Sequence, residues 1–288
     1  MDMLQPVDLH CHSNLSDGKL TPVEVTDLMA DKGVKFFSLT DHDSVKGCAA
    51  ASERAVERGI GFLPGVEISA DYLDKSLHVL GLGLDTENEE LLAFLQESDD
   101  SRMVRFQLIL DRLAHFGMDL NDDFEHLGSE TAFSRQHIAE ALVKRGYAEN
   151  KGEAFRKYLL KGGAAYLPMP WPSLKKSIEV IHGAGGVAVL AHPGRYGFTL
   201  PGLRGLFRAF RDAGGDGAEV SSGPSALGMV QRLSQLCTKF GLMVSGGSDF
   251  HDPRSAWVKA GEYQQIPRRL TRIWQQMDWW HPPEEQEA

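Results

Sequence analysis

Seven short apolar runs, rich in Val, Leu, Ile and Phe, punctuate the chain at residues 7–12, 36–40, 62–68, 77–84, 187–191, 218–222 and 242–245. Runs of this length and type read as buried strands. Amphipathic segments separate the first three. Thr21-Pro22-Val23-Glu24 sets an N-cap ahead of a proline at the first helical position, and Lys32-Gly33 supplies a left-handed helix stop. Residues 46–58, closed by Gly59, repeat the plan. Strands alternating with helices predict parallel pairing through right-handed crossovers. Periodicity alone does not choose between a closed barrel and an open sheet. In either, the active site lies at the carboxyl ends of the strands.

The rhythm breaks after the fourth run. Residues 86–172 carry helical patterns at 87–96, 99–116, 134–145 and 151–160, then the proline-rich connector 168–172. This predicts a barrel or sheet domain from residues 1–85 and 173–275, a helical insertion at 86–172 capping the strand ends, and a disordered tail at 276–288. Trp274, Trp279 and Trp280 are expected to dock the last helix. With 42% hydrophobic and 24% charged residues over 288 positions, the chain has material for a substantial core. A net charge of −10 argues against a duplex DNA partner. Cys11, Cys48 and Cys237 show no CxxC spacing, which fits a reducing compartment. No basic-apolar leader or membrane-length apolar stretch is present in the sequence, so a soluble, cytoplasmic protein is expected.

The chemistry gathers where the runs end. His10 and His12 are two apart on the first run, so both side chains leave one face. Asp17 follows in a Ser-Asp-Gly turn, His42 in Thr40-Asp41-His42-Asp43, and Glu67 in Gly65-Val66-Glu67-Ile68-Ser69. His78 lies near the start of the fourth run, His192 ends the fifth, and Asp249 and His251 follow the seventh. Singly, each reads as a turn or a hydrogen-bonded side chain. Together, six histidines and three carboxylates exceed the needs of one ion and fit two or three ions sharing a bridging carboxylate. The donor mixture suits Mn best, with Fe or Zn as alternatives, and does not suit a structural thiolate zinc site. His115, His126, His137, His182 and His281 lack that setting, and Cys11 points to the core.

The segments DLHCHSNLSDG, LTDHD, GVEIS, LHVLG, AHPGR and GSDFH resemble, in order, the motifs of the PHP (polymerase and histidinol phosphatase) domain family. The resemblance spans residues 7–84 and 187–251. The insertion, with Ser134-Arg135-Gln136-His137, resembles the small stand-alone phosphoesterase branch, which includes 3′,5′-nucleoside bisphosphate phosphatases and a 5′-to-3′ exoribonuclease. The resemblance implies a distorted seven-stranded (β/α) barrel with a trinuclear metal site. It would place the first ion on His10, His12, Glu67 and Asp249, and the second on Glu67, His78 and His192. The third would sit on Asp17, His42 and His251.

The expected activity is removal of the 3′-phosphate from a 3′,5′-nucleoside bisphosphate, with a metal-bound hydroxide as nucleophile. Glu67, Asp249, His192 and Arg195 are expected to carry catalysis, with Ser13, Ser16 and Ser248 as supporting turn residues. Arg195 is placed to fork onto a phosphate. Arg102 and Arg105 share a helix face, and Ser134, Arg135 and His137 open another helix. These five form an expected clamp for a second phosphate. Charges over residues 99–165 nearly balance, which favours a compact pocket over a long nucleic-acid groove. Glu219 and the Ser221-Ser222-Gly223 turn are expected at the site rim. The alternatives are a 5′-to-3′ exoribonuclease acting on short 5′-phosphorylated RNA and a metal-binding regulatory module without turnover.

Overall fold

The computed structural model describes residues 5–276 apart from 74, 126–132 and 170. The expected tail, with His281, Trp279 and Trp280, and the residues His126 and Pro170 lie outside the described residues. Strands β1 (Val7–Asp8), β2 (Phe36–Leu39), β3 (Gly61–Tyr72) and β4 (Lys75–Leu82) form the first half of one sheet. Strands β5 (Val187–Leu190), β6 (Gly217–Ser222) and β7 (Met243–Gly247) complete it, in sequential order from β1 to β7. The edges meet through irregular bonds. Asp249 donates to the His10 carbonyl at 2.8 Å, His12 donates to Phe250 at 2.9 Å, and Cys11 bridges Phe250. The result is a nearly closed barrel, the distorted (β/α) form that the family resemblance implies.

Helices α1 (Pro22–Asp31) and α2 (Cys48–Arg58) follow the sequence punctuation. Thr21 and Glu24 form a capping box around Pro22, and α2 stops at left-handed Gly59, with φ +65°. Pairing departs from the all-parallel expectation. β4 runs antiparallel to both β3 and β5, while the remaining pairs are parallel. The reason is covalent: only residues 73 and 74 separate β3 from β4, which suffices for a hairpin and not for a crossover.

The insertion contains no strand among its described residues. Its first helix, α3 (Glu89–His115), is one 27-residue element where two were expected. Leu91, Phe94 and Leu95 pack it into the barrel core, and Phe106, Ile109, Leu110 and Leu113 into a second cluster. The polar stretch Ser98-Asp99-Asp100-Ser101 between them bridges two cores and does not end the helix. Helices α4 (Arg135–Lys144) and α5 (Lys151–Ala154) complete that second cluster with Ile138, Leu142 and Ala154. The βα rhythm resumes with α6 (Leu174–Gly183), α7 (Leu200–Asp212) and α8 (Leu227–Phe240), and Trp274 packs against the barrel core. Among the described residues no helix is long and apolar enough to cross a membrane.

Candidate functional site

All nine expected ligand residues converge at one end of the barrel. β1 is only two residues long, so His10 and His12 follow it and are not part of it. Their imidazoles still enter the barrel from one side, with the two Nε2 atoms 3.1 Å apart. A Cβ on Gly247 would stand 2.5 Å from His10 Cβ, so glycine there lets β7 close onto the first histidine. Gly18 is constrained in the same way: a Cβ would lie 2.5 Å from the His12 carbonyl oxygen in the turn that presents Asp17. His78 lies inside β4 and not at a strand end. Because β4 is antiparallel, its N-terminal half reaches the same mouth as the carboxyl ends of its neighbours.

Glu67, fully buried in β3, is the hub. Its Oε2 lies 3.3 Å from Nε2 of both His10 and His12, and 3.0 Å from His42 Nδ1. Its Oε1 lies 2.9 Å from His78 Nδ1 and 2.8 Å from His192 Nε2. Asp249 Oδ1 is 3.3 Å from His10 and His12, and Asp17 Oδ1 is 3.2 Å from His251 Nε2. Both Asp249 and His192 adopt positive φ, +55° and +28°, a costly backbone for residues with a side chain.

The donor set fits divalent cations on its own terms. Among the described residues, Asp17 Oδ1, His42 Nδ1, Glu67 Oε2 and His78 Nδ1 are buried without a hydrogen-bond partner, although they crowd together. Orphaned buried acceptors and imidazole nitrogens that close are expensive unless something cationic completes them. Ligand atoms group as His12/Asp17/His42/His251, His10/His12/Glu67, His10/His192/Asp249 and His42/Glu67/His78, each within 4.8 Å. Burial pulls the His42 imidazole down to about 3, so it is neutral and able to donate a lone pair. Burial would raise the Glu67 and Asp17 carboxyls. The surrounding imidazoles outweigh it and hold both well below the ordinary carboxylate range, as ligation requires.

A layer of buried carboxylates holds these loops, and of its members only Glu219 was placed near the site from the sequence. Asp41 accepts from Ser13 N, Ser13 Oγ and Ser16 Oγ at 2.6–2.7 Å, shaping the turn to Asp17. Asp8 accepts the Ser248 and Gly261 amides at 2.8 Å, tying β1 to the Asp249 loop. Glu219, expected at the rim, is instead buried against His10. The only sequence signal for these residues was acidic side chains within or beside apolar runs.

The same cavity, about 450 Å³, extends from the metal-ligand cluster to the insertion, where Arg102, Arg105, Ser134 and Arg135 line it. Arg102 does not face it as a free cation. Its Nε donates to Asp43 at 2.7 Å, its Nη2 to Asp43 and to Ser69 Oγ, and its guanidinium stacks 4.7 Å from Trp171. Among the described residues, Arg105 and Arg135 hydrogen-bond backbone carbonyls, at Leu167 (2.6 Å) and Leu159 (3.4 Å), Arg135 lies over the Phe155 ring, and Arg105 Nε has no hydrogen-bond partner. Burial, then the neighbouring Arg135 and Arg102, lower Arg105 to about 10; burial and Arg102 lower Arg135. Two partly desolvated guanidiniums with no carboxylate between them among the described residues have the chemistry to receive an anion. Ser134 caps α4, its Oγ accepting from Gln136 N at 3.1 Å. His137 does not join the pocket. Its Nδ1 accepts the Ser134 N–H at 3.1 Å, which turns the ring into an adjoining cavity. Arg195 lines the cavity, with Nη1 paired to Asp249 and Nη2 donating to the Ser222 carbonyl at 3.2 Å.

A barrel mouth crowded with imidazoles and carboxylates, facing half-buried arginines across one cavity, defines a metal-assisted hydrolase of anionic substrates. The PHP domain family model matches residues 8–151, and the chain belongs to that family. It is 36% identical to a 3′,5′-nucleoside bisphosphate phosphatase of Chromobacterium violaceum over 94% of this chain and 96% of that protein. It is 35% identical to a 5′-3′ exoribonuclease of Haemophilus influenzae over 95% of this chain and 99% of that protein. Among solved structures, an amidohydrolase from C. violaceum with bound sulfate and no metal superposes with a TM-score of 0.88. Its identity is 37%, covering 94% of this chain and 95% of that one.

Proposed function

We infer that this PHP protein, a metal-dependent hydrolase of phosphoric ester bonds, removes the 3′-phosphate of 3′,5′-nucleoside bisphosphates such as adenosine 3′,5′-bisphosphate. The observation that carries this reading is the shared cavity: a cluster suited to cations at one wall, and at the other Arg105 and Arg135, which have no carboxylate partner among the described residues. A substrate with two phosphates satisfies both.

His10, His12, Asp17, His42, Glu67, His78, His192, Asp249 and His251 would hold two or three divalent ions, most suitably Mn. Such ions supply Lewis-acid charge for the phosphoryl oxygens and a nucleophilic water near neutral pH. Glu67, central to five imidazoles, holds the two sides of the cluster at one spacing. Arg195 fixes Asp249 and faces the same cavity, where its remaining donor capacity can meet the scissile phosphate. Arg105 and Arg135 hold the remote phosphate, so that its binding energy positions the reacting one. Phe133, Phe155 and Trp171 give that end of the cavity apolar walls that exclude water. Residues 1–85 and 173–275 are the catalytic barrel in this reading, and 86–172 the cap.

The near-equal identity to the H. influenzae exoribonuclease favours a second reading, in which the arginines hold the 5′-phosphate of short RNA. Purified Mn-loaded protein decides between them. Phosphate release from adenosine 3′,5′-bisphosphate, outpacing mononucleotide release from a 5′-phosphorylated oligoribonucleotide, supports the phosphatase. The reverse order overturns it.

A further inference from the structure

Strand β6 supplies none of the nine candidate ligands, yet it buries a carboxylate directly behind them. Glu219 is 1% exposed. Both of its oxygens lie 3.1 Å from His10 Nδ1, and Oε2 also accepts the backbone N–H of His192 at 2.7 Å. A carboxylate stripped of water needs donors of this kind to persist. By engaging Nδ1 it leaves Nε2 as the atom His10 turns toward Glu67 and Asp249, each 3.3 Å away.

Its second contact acts on backbone. His192 has φ 28° and ψ 53°, outside the well-populated regions for a residue with a side chain. The Glu219 bond anchors that turn, and the turn delivers the His192 imidazole to within 2.8 Å of Glu67. His10 and His192 belong to one ligand group with Asp249, and their rings stack at 5.5 Å between centroids. The pairing of β6 with β7 loses register between Glu219 and Ser221. An irregularity of this type re-aims a side chain beside an active site.

We propose that Glu219 is a positioning residue for the metal centre, setting the ring of His10 and the turn of His192 so that both imidazoles face the ligand cluster around Glu67 and Asp249. The proposal rests on reading the cluster as a metal centre. Outer partners of metal-bound histidines typically govern affinity by about 10–100-fold.

The test compares full-length wild type with Glu219→Gln and Glu219→Asp, each stripped by chelator. Mn²⁺ binding is counted by equilibrium dialysis, and the metal-free proteins are melted in parallel. Wild type is expected to bind Mn²⁺. Both variants should melt within a few degrees of it while binding at least one Mn²⁺ about 10–100-fold more weakly. Their kcat on adenosine 3′,5′-bisphosphate should recover with excess Mn²⁺, with KM unchanged. Unaltered Mn²⁺ binding in the variants overturns the role of Glu219. Collapse of both metal-free variants makes Glu219 a folding strut and overturns it equally. A wild type that binds no Mn²⁺ overturns the underlying reading of the cluster instead.

Discussion

The two walls of the cavity solve opposite electrostatic problems. On the barrel wall, buried carboxylates are fixed by serine hydroxyls, backbone amides and imidazoles, and the unsatisfied atoms that remain point at one another. On the insertion wall, Arg105 and Arg135 are half-buried; they donate to backbone carbonyls, Arg135 also lies over the Phe155 ring, and neither meets a carboxylate among the described residues. The first wall concentrates imidazole and carboxylate donors, and the second presents guanidinium charge. Arg102 belongs to neither pattern: its pairing with Asp43, the neighbour of His42, ties the insertion to the barrel. The contrast teaches that the metal-type donors and the guanidinium pair sit on separate elements, the former at the barrel mouth and the latter on α3 and α4.

Substitutions should therefore separate the walls. Glu67→Ala removes the hub of the barrel wall. It should lower kcat on every phosphoester by more than the roughly 100-fold that loss of an outer partner costs, read as phosphate release with saturating Mn²⁺. An equal rate in the variant would break the contrast. Arg102→Ala leaves Asp43 buried and unpaired, and should destabilise the protein by about 3–5 kcal/mol in denaturant melts. Arg102→Lys, lacking the fork, should recover only part of that loss.

Arg135→Ala acts on the insertion wall alone. A hydrogen bond to a charged group contributes about 1.5–3 kcal/mol, so kcat/KM for adenosine 3′,5′-bisphosphate should fall about 10–150-fold. An aryl monophosphate, which has no second phosphate for Arg135 to hold, should change far less. Equal losses on both substrates would remove the remote-phosphate role. The smallest effect needs no catalysis: sulfate should raise the melting temperature of metal-free wild type by a few degrees. With sulfate at about 100 times its Kd the gain is about 2.7 kcal/mol, and Arg135→Ala should abolish it.

The ligand set was legible because most members lie near the end of an apolar run or just after it, as with His42 after Leu39 and Asp249 after Gly247; His78, early in its run, is the exception. The antiparallel β4 was not, since an apolar run carries no direction and only the two-residue link after Tyr72 decides it. The continuity of α3 was hidden by Ser98 to Ser101, which read as a break until two cores are seen to hold the helix on either side. Asp8, Asp41, Asp43 and Glu219 were unreadable as a layer, because a buried carboxylate and a solvated one share the same letter. His137 shows the converse: a histidine at a helix N-terminus read as a phosphate ligand serves as a cap.

The most direct measurement is a Mn²⁺ titration of chelator-stripped protein, following phosphate release from adenosine 3′,5′-bisphosphate while bound metal is counted. The account predicts negligible release without metal and a rise that saturates as the two or three sites assigned above fill. Full activity in protein holding no divalent ion would contradict it.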